Sequence, residues 1–257
     1  MILITNLKNL WTGYKKQTCY EFKENQFFGF TNRYIDFDDI VIKVKETSLK
    51  RVTHLKFLGV TIDEKMDWNI HVNNVCNRLS KGVGILFKLQ SLPQNILKML
   101  YNTLILPHLN YCMLIWANSS NLNMDRIFKL QKKAIRIISH SNYIAHTMPI
   151  FSCLKILTMF DMYLLQSAIF MYLCSKKMLP TSLLQHFCFN DSFHSYQTRN
   201  AMNYHIPKAR TSVFQKSIFF NGPKIWNDLP EMIKNSPSLN LFKRRYKQYL
   251  LATYSQP

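Results

Sequence analysis

The hydrophobic period of this chain changes once, near Trp68, and that change limits the fold more than any other feature. Before it, Ile40-Val41-Ile42-Lys43-Val44-Lys45 is β-branched and partly alternating, and Leu55 to Asp63 is a second short apolar run. Both read as strands, with the polar segment between them as the turn of a β-hairpin or meander. After it, Val72, Val75, Leu79, Val83 and Leu86 recur at three and four residues, the stripe of a long amphipathic helix. Ser91-Leu92-Pro93 ends that helix and starts a second, through Ile96, Leu100 and Leu104, which stops near Pro107. A third element covers His108 to Trp116. A fourth starts at Asn121–Asn123 and runs to about Ser139. Residues 152–178 read as one long apolar helix, 186–212 as irregular, and Ser217 to Trp226 and Ser238 to Tyr254 as helices. The expectation is an α+β fold, mostly α. A short β unit over 1–67 is followed by a helical bundle over 68–140 and a second helical unit over 141–257.

The chain's 257 residues suffice for one large or two modest domains, and 47% of them are hydrophobic, enough to build a core. Only 6 are glycine, which argues against Gly-rich phosphate loops; Gly82 and Gly84 form the one close pair and sit inside a helical pattern. The N-terminus lacks a basic lead and a long apolar core, and the longest apolar stretch, Met162 to Ser175, has 14 residues. Spanning a bilayer takes roughly 18. Six cysteines without a C-x-x-C pair suit reduced thiols. The expected location is therefore intracellular, nucleus or cytoplasm, without secretion or a membrane span.

Charge is divided unevenly. Residues 1–67 hold 11 Lys/Arg against 9 Asp/Glu, whereas 68–257 hold 22 against 5, a net +17 of the total +19. A field of that size draws polyanions, and nucleic acid is the expected one. On the fourth helix Lys129, Lys132, Lys133 and Arg136 fall at i, i+3, i+4 and i+7, opposite Ile127, Leu130, Ala134, Ile137 and Ile138. Like charges at those spacings repel, and either solvent or a counter-polyanion can relieve them. The last helix carries Lys243-Arg244-Arg245 and Lys247. Near the N-terminus Tyr14, Phe22, Phe27, Phe28, Phe30 and Tyr34 interleave with Lys15, Lys16, Lys23 and Arg33. Packing is the preferred reading there, ahead of base stacking. His140, His146 and Cys153, like His186, Cys188 and His194, match no zinc spacing. No nucleophile elbow is present.

An ordered set of motifs carries a resemblance. It runs Lys56-Phe57-Leu58-Gly59-Val60, Asp67-Trp68-Asn69-Ile70-His71, Leu104-Ile105-Leu106-Pro107-His108-Leu109-Asn110-Tyr111 and Leu130-Gln131-Lys132-Lys133-Ala134-Ile135-Arg136. It continues with His194-Ser195-Tyr196-Gln197-Thr198-Arg199, Gly222-Pro223-Lys224-Ile225-Trp226-Asn227-Asp228-Leu229-Pro230 and Phe242-Lys243. In this order, over some 200 residues, they resemble the C-terminal part of jockey-like non-LTR retrotransposon reverse transcriptases. The resemblance implies a palm remnant over 1–67, with Phe57, Leu58 and Gly59 on the strand that grips the primer end. It implies a thumb-like bundle over 68–140 and a C-terminal helical region beyond. RNA or a DNA–RNA duplex would be the partner, bound through its backbone with low sequence specificity. Lys129, Lys132, Lys133, Arg136, Lys243, Arg244, Arg245 and Lys247 would make phosphate contacts.

The family's catalytic centre is an aromatic-x-Asp-Asp turn and an earlier Asp, together holding two magnesium ions, because phosphoryl transfer needs clustered carboxylates. The nearest string here, Tyr34-Ile35-Asp36-Phe37-Asp38-Asp39, has Asp36 where the aromatic belongs and lies 18 residues before Phe57. Lys16-Gln17-Thr18 departs from the family's Lys-Thr pair by an inserted residue and receives no role. No catalytic residue, metal site or cofactor is therefore expected in this chain, which reads as a truncated RNA-directed DNA polymerase. The alternative is a host-domesticated basic helical protein acting as a protein or membrane interaction module.

Overall fold

The computed structural model describes residues 20–23, 26–29, 43–44, 47–48, 50–192 and 201–255. The fold is α+β and mostly α, with the short sheets on the N-terminal side. Strands β1 (Tyr20–Lys23) and β2 (Gln26–Gly29) pair antiparallel, and β2 pairs in parallel with β5 (Lys50–Arg51). Strands β3 (Lys43–Val44) and β4 (Thr47–Ser48) form a second antiparallel pair. Strands β6 (His54–Phe57) and β7 (Val60–Asp63) form a third. Phe28 is buried, which agrees with packing as the role of that aromatic. The whole 30–42 segment, with Asp36, Asp38 and Asp39, lies outside the described residues, as do residues 1–19 and 193–200.

The Leu55–Asp63 run is not one strand. It folds back on itself, because Leu58 (φ 45°) and Gly59 (φ 82°) both take positive φ. That is the requirement of the two-residue I′ turn, whose twist matches the strands it joins. Leu55 and Val60 turn inward, while Lys56 faces solvent opposite Thr61.

The helices follow: α1 (Asn69–Lys88), α2 (Gln94–Leu104), α3 (Leu106–Asn110), α4 (Met113–Trp116) and α5 (Asn121–Ile138). Next come α6 (Met148–Leu154), α7 (Met159–Ser175), α8 (Thr181–Leu184), α9 (Ser212–Gln215), α10 (Ile218–Asn227), α11 (Glu231–Lys234) and α12 (Leu239–Ala252). The α1 stripe predicted from sequence is buried at Val72, Val75, Leu79 and Leu86. Ser120, one residue earlier than expected, caps α5 by accepting from the Asn123 amide. The element expected over His108 to Trp116 is split, because Cys112 turns left-handed (φ 50°) between α3 and α4. The single helix expected over 152–178 is also two. Lys155 (φ 54°) ends α6, and the Thr158 hydroxyl caps α7 by accepting from the Asp161 amide at 3.2 Å.

One continuous apolar core runs from Val72 on α1 to Leu250 on α12. Its C-terminal half is aromatic: Phe242 packs 4.6 Å from Tyr172 and 6.0 Å from Trp226 between ring centroids. Among the described residues no single helix is long and apolar enough to cross a membrane. Helices α6 and α7 together have the length and composition but bend by 52°, and their apolar residues Phe151, Met159 and Met171 lie in the core.

Candidate nucleic-acid interface

The β6–β7 hairpin is fixed onto α1 by its own side chains. The Asp63 carboxylate accepts from the backbone amides of Asp67 and Trp68, each at 2.9 Å. Trp68 is left-handed (φ 66°) and cannot begin the helix itself, so the carboxylate satisfies amides that would otherwise be unpaired there. Arg51 adds a two-pronged contact to Glu64, at 3.0 and 3.2 Å. At the other end, Tyr111 donates its hydroxyl to the carbonyl of Leu58 and lays its ring against Gly59. The turn is held out from the body with Leu58 73% exposed.

Behind that turn lies a cleft of about 310 Å³ lined by Lys56, Gly59, Thr61, His71, Asn74, Val75, Asn77, Arg78 and Lys81. The hairpin supplies Lys56 and Thr61 as cross-strand neighbours, which share a face of the sheet. Helix α1 supplies His71, Asn74, Arg78 and Lys81, which recur at three and four residues and so share one stripe. Three exposed cations meet there with no carboxylate in the lining. Among the described residues the ion pairs are Arg51–Glu64 and Lys234–Glu231, and neither involves Lys56, Arg78 or Lys81.

His71 is the buried member, 5% exposed. Its Nδ1 accepts from the Thr61 amide at 3.3 Å, which leaves the proton of the neutral ring on Nε2. That Nε2 is buried without a hydrogen-bond partner. Burial, and then the Arg78 charge, hold the His71 pKa below its ordinary value; His108 is lowered for the same two reasons. Trp116 packs edge-on to the His71 ring, centroids 5.6 Å apart.

The residues expected from sequence are dispersed. Phe57, Leu58 and Gly59 lie at the hairpin tip, with Leu58 and Gly59 in a turn rather than in a strand. Lys129 is exposed on α5, and the Lys132 ammonium sits 4.7 Å over the Phe128 ring. Lys133 and Arg136 line a different cleft, which shares no residue with the first. On α12, Lys243 and Arg244 are exposed, and Arg245 donates to the Met232 carbonyl at 3.1 Å. The Lys247 pKa is lowered by burial and then by the nearby Lys98 charge. Sequence reasoning missed Arg78 and Lys81, and it quoted Lys56 and His71 without giving either a binding role. The signal was a polar stripe on α1, flanking its apolar one.

Among the described residues no group of three or more His, Cys, Asp or Glu could hold a metal ion. Asp36, Asp38 and Asp39, the carboxylates nearest to the family's catalytic pattern, lie outside the described residues. Cys76 and Cys174 are buried free thiols, raised in pKa chiefly by burial, while Cys153 is exposed.

No family model matches the chain, and no solved structure matches it. It is 23% identical over 124 residues to a probable RNA-directed DNA polymerase from transposon X-element of Drosophila melanogaster. The match takes in 47% of this chain but only 14% of that protein. This is a distant likeness, and it supports a coarse reverse-transcriptase-like relationship.

Proposed function

We propose that this chain is a nucleic-acid-holding part of a non-LTR retrotransposon reverse transcriptase, a thumb-like bundle that grips RNA or a DNA–RNA duplex by its backbone. The observation that carries this reading is the cleft behind the hairpin turn. Lys56, Arg78 and Lys81 converge there from two elements around a buried imidazole N–H, with no carboxylate among the lining residues. Cations without acidic partners suit phosphates, and a backbone contact of this kind carries little base preference. Lys129 and Lys132 on α5 add to the same positive field. Among the described residues no cluster of acidic side chains could hold a metal ion, and the distant transposon relative supports a coarse reverse-transcriptase-like relationship.

The test is fluorescence anisotropy of a labelled primer–template duplex across a salt series. Three phosphate contacts give a log–log slope of about −2.7, roughly a 40-fold loss of affinity between about 50 and 200 mM salt. The triple variant Lys56→Ala, Arg78→Ala, Lys81→Ala is expected to lose most of that slope. A salt-independent affinity, or a triple variant that binds like the parent, overturns the assignment. Primer extension with magnesium is expected to yield no incorporation by this chain alone.

A further inference from the structure

Helices α1 and α5 lie parallel, side by side. Their cross-contacts keep a nearly constant offset: Asn123 donates to the Asn69 side chain at 2.9 Å, and Arg126 to that of Asn73 at 2.6 Å. This alignment leaves a cleft of about 830 Å³ between their C-terminal halves. Val83 and Phe87 of α1 and Leu130 and Ile137 of α5 form its apolar floor. Lys133, Arg136 and His140 stand on its rim, and no carboxylate lines it. Phe87 is 58% exposed and Tyr143, from the following loop, is 72% exposed, so among the described residues the surface is apolar and uncovered.

We infer that this cleft docks an acidic amphipathic helix from a partner protein. The lining residues recur at helical spacing on two parallel helices, Ser80, Val83, Gly84 and Phe87 on one and Leu130, Lys133 and Ile137 on the other. Two such rows leave a groove into which the ridge of a third helix packs. Beside the aromatic Phe87 and Tyr143, the aliphatic Val83, Leu130 and Ile137 offer a lining that suits leucine-like side chains. The cationic rim selects acidic flanks. Arg136 is already oriented for this, since its Nε donates to the Ala145 carbonyl at 3.0 Å.

The two glycines of α1 sharpen the point. A Cβ on Gly82 would meet Ile105 at 3.1 Å and the Leu104 carbonyl oxygen at 3.3 Å, so that position is needed for close helix packing. A Cβ on Gly84 would meet nothing within 4 Å. Gly84 lines the cleft and keeps it open, although glycine weakens a helix interior. Gly84→Trp therefore fills the groove from a position where added atoms fit and helix propensity rises.

The probe is a panel of fluorescein-labelled helical peptides with leucine at every third and fourth position and glutamate between, each paired with a scrambled peptide of identical composition. At least one patterned peptide is expected to bind tenfold or more tightly than its scrambled partner. Gly84→Trp is expected to weaken that peptide at least tenfold, with helicity and primer–template affinity unchanged, and Lys133→Glu to weaken the peptide at least fivefold. The Lys56, Arg78, Lys81 triple variant should leave the peptide untouched, so failure of this inference and failure of the nucleic-acid assignment are separable. No preference for the patterned peptides overturns the inference. So does peptide binding that survives Gly84→Trp, or a single-stranded RNA as the species that Gly84→Trp displaces.

Discussion

Helices α5 and α12 each carry four grouped cations, at i, i+3, i+4 and i+7 on one and within five consecutive residues on the other. Their surroundings differ. On α5 the buried Gln131 amide reaches across the core, donating to the Tyr101 hydroxyl and the Leu157 carbonyl, each at 3.0 Å, and accepting from the Met159 amide at 2.9 Å. The opposite face then presents its cations at fixed places, two of them on the rim of a groove. On α12 the buried side is aromatic, through Phe242 and Tyr246, and Lys243 and Arg244 are exposed. Another of its cations, Arg245, is taken up by its own chain. A run of positive charge in a sequence is therefore not yet a site; it becomes one where a second element supplies the opposite wall.

The largest expected effect is at the α5 anchor. Gln131→Ala orphans three buried groups and is expected to cost about 3 kcal/mol, measured as a shift in urea midpoint at constant slope. Arg245→Ala on the half-exposed α12 contact is expected to cost under about 1 kcal/mol. Equal costs would break the contrast. Next come the charges. In about 100 mM salt the Lys56, Arg78, Lys81 triple alanine variant is expected to weaken duplex binding by about 30-fold or more, while Lys243→Ala with Arg244→Ala changes it less than about threefold. A reversed order moves the interface to α12.

A smaller effect concerns pH. His71 and His108 are both held below the ordinary value of 6.5 when folded. Below that pH the unfolded chain binds protons that the folded one refuses, so stability falls as the solution is acidified and recovers as the pH rises. His71→Gln, which can still accept from the Thr61 amide, is expected to flatten part of this dependence in chemical denaturation at several pH values. Unchanged curves would show that the cleft histidine is not linked to folding.

What could be read in advance was periodic and local. The apolar stripe of α1 states its structure within a few residues. The Leu58-Gly59 turn was hidden because it lies inside an apolar run, and a leucine gives no turn signal; only the paired strands make its positive φ visible. The break at 155–158 was hidden for the same reason, since Lys155 carries no mark of a left-handed residue. The cleft between α1 and α5 depends on pairings 53 to 54 residues apart, Asn73 with Arg126 and Asn69 with Asn123, which no spacing rule reaches. The grooved cations of α5 were therefore foreseen as a stripe but not as a rim, and those of the hairpin cleft were not grouped at all.

The hairpin tip bears on selection as well as on shape. A leucine at φ 45° is held in a conformation that disfavours branched side chains, at a cost of about 1 kcal/mol, and here it is also left in water. Asparagine before glycine is the steadier choice for such a turn, and Leu58→Asn is expected to stabilise the chain by about 0.5 to 1 kcal/mol in thermal unfolding. If the same substitution weakens duplex binding, the tip is a trade of stability for contact: an apolar wedge kept rigid and exposed so that it can press against a sugar edge or a base step. If it weakens nothing, Leu58 is a tolerated cost that drift has not yet removed.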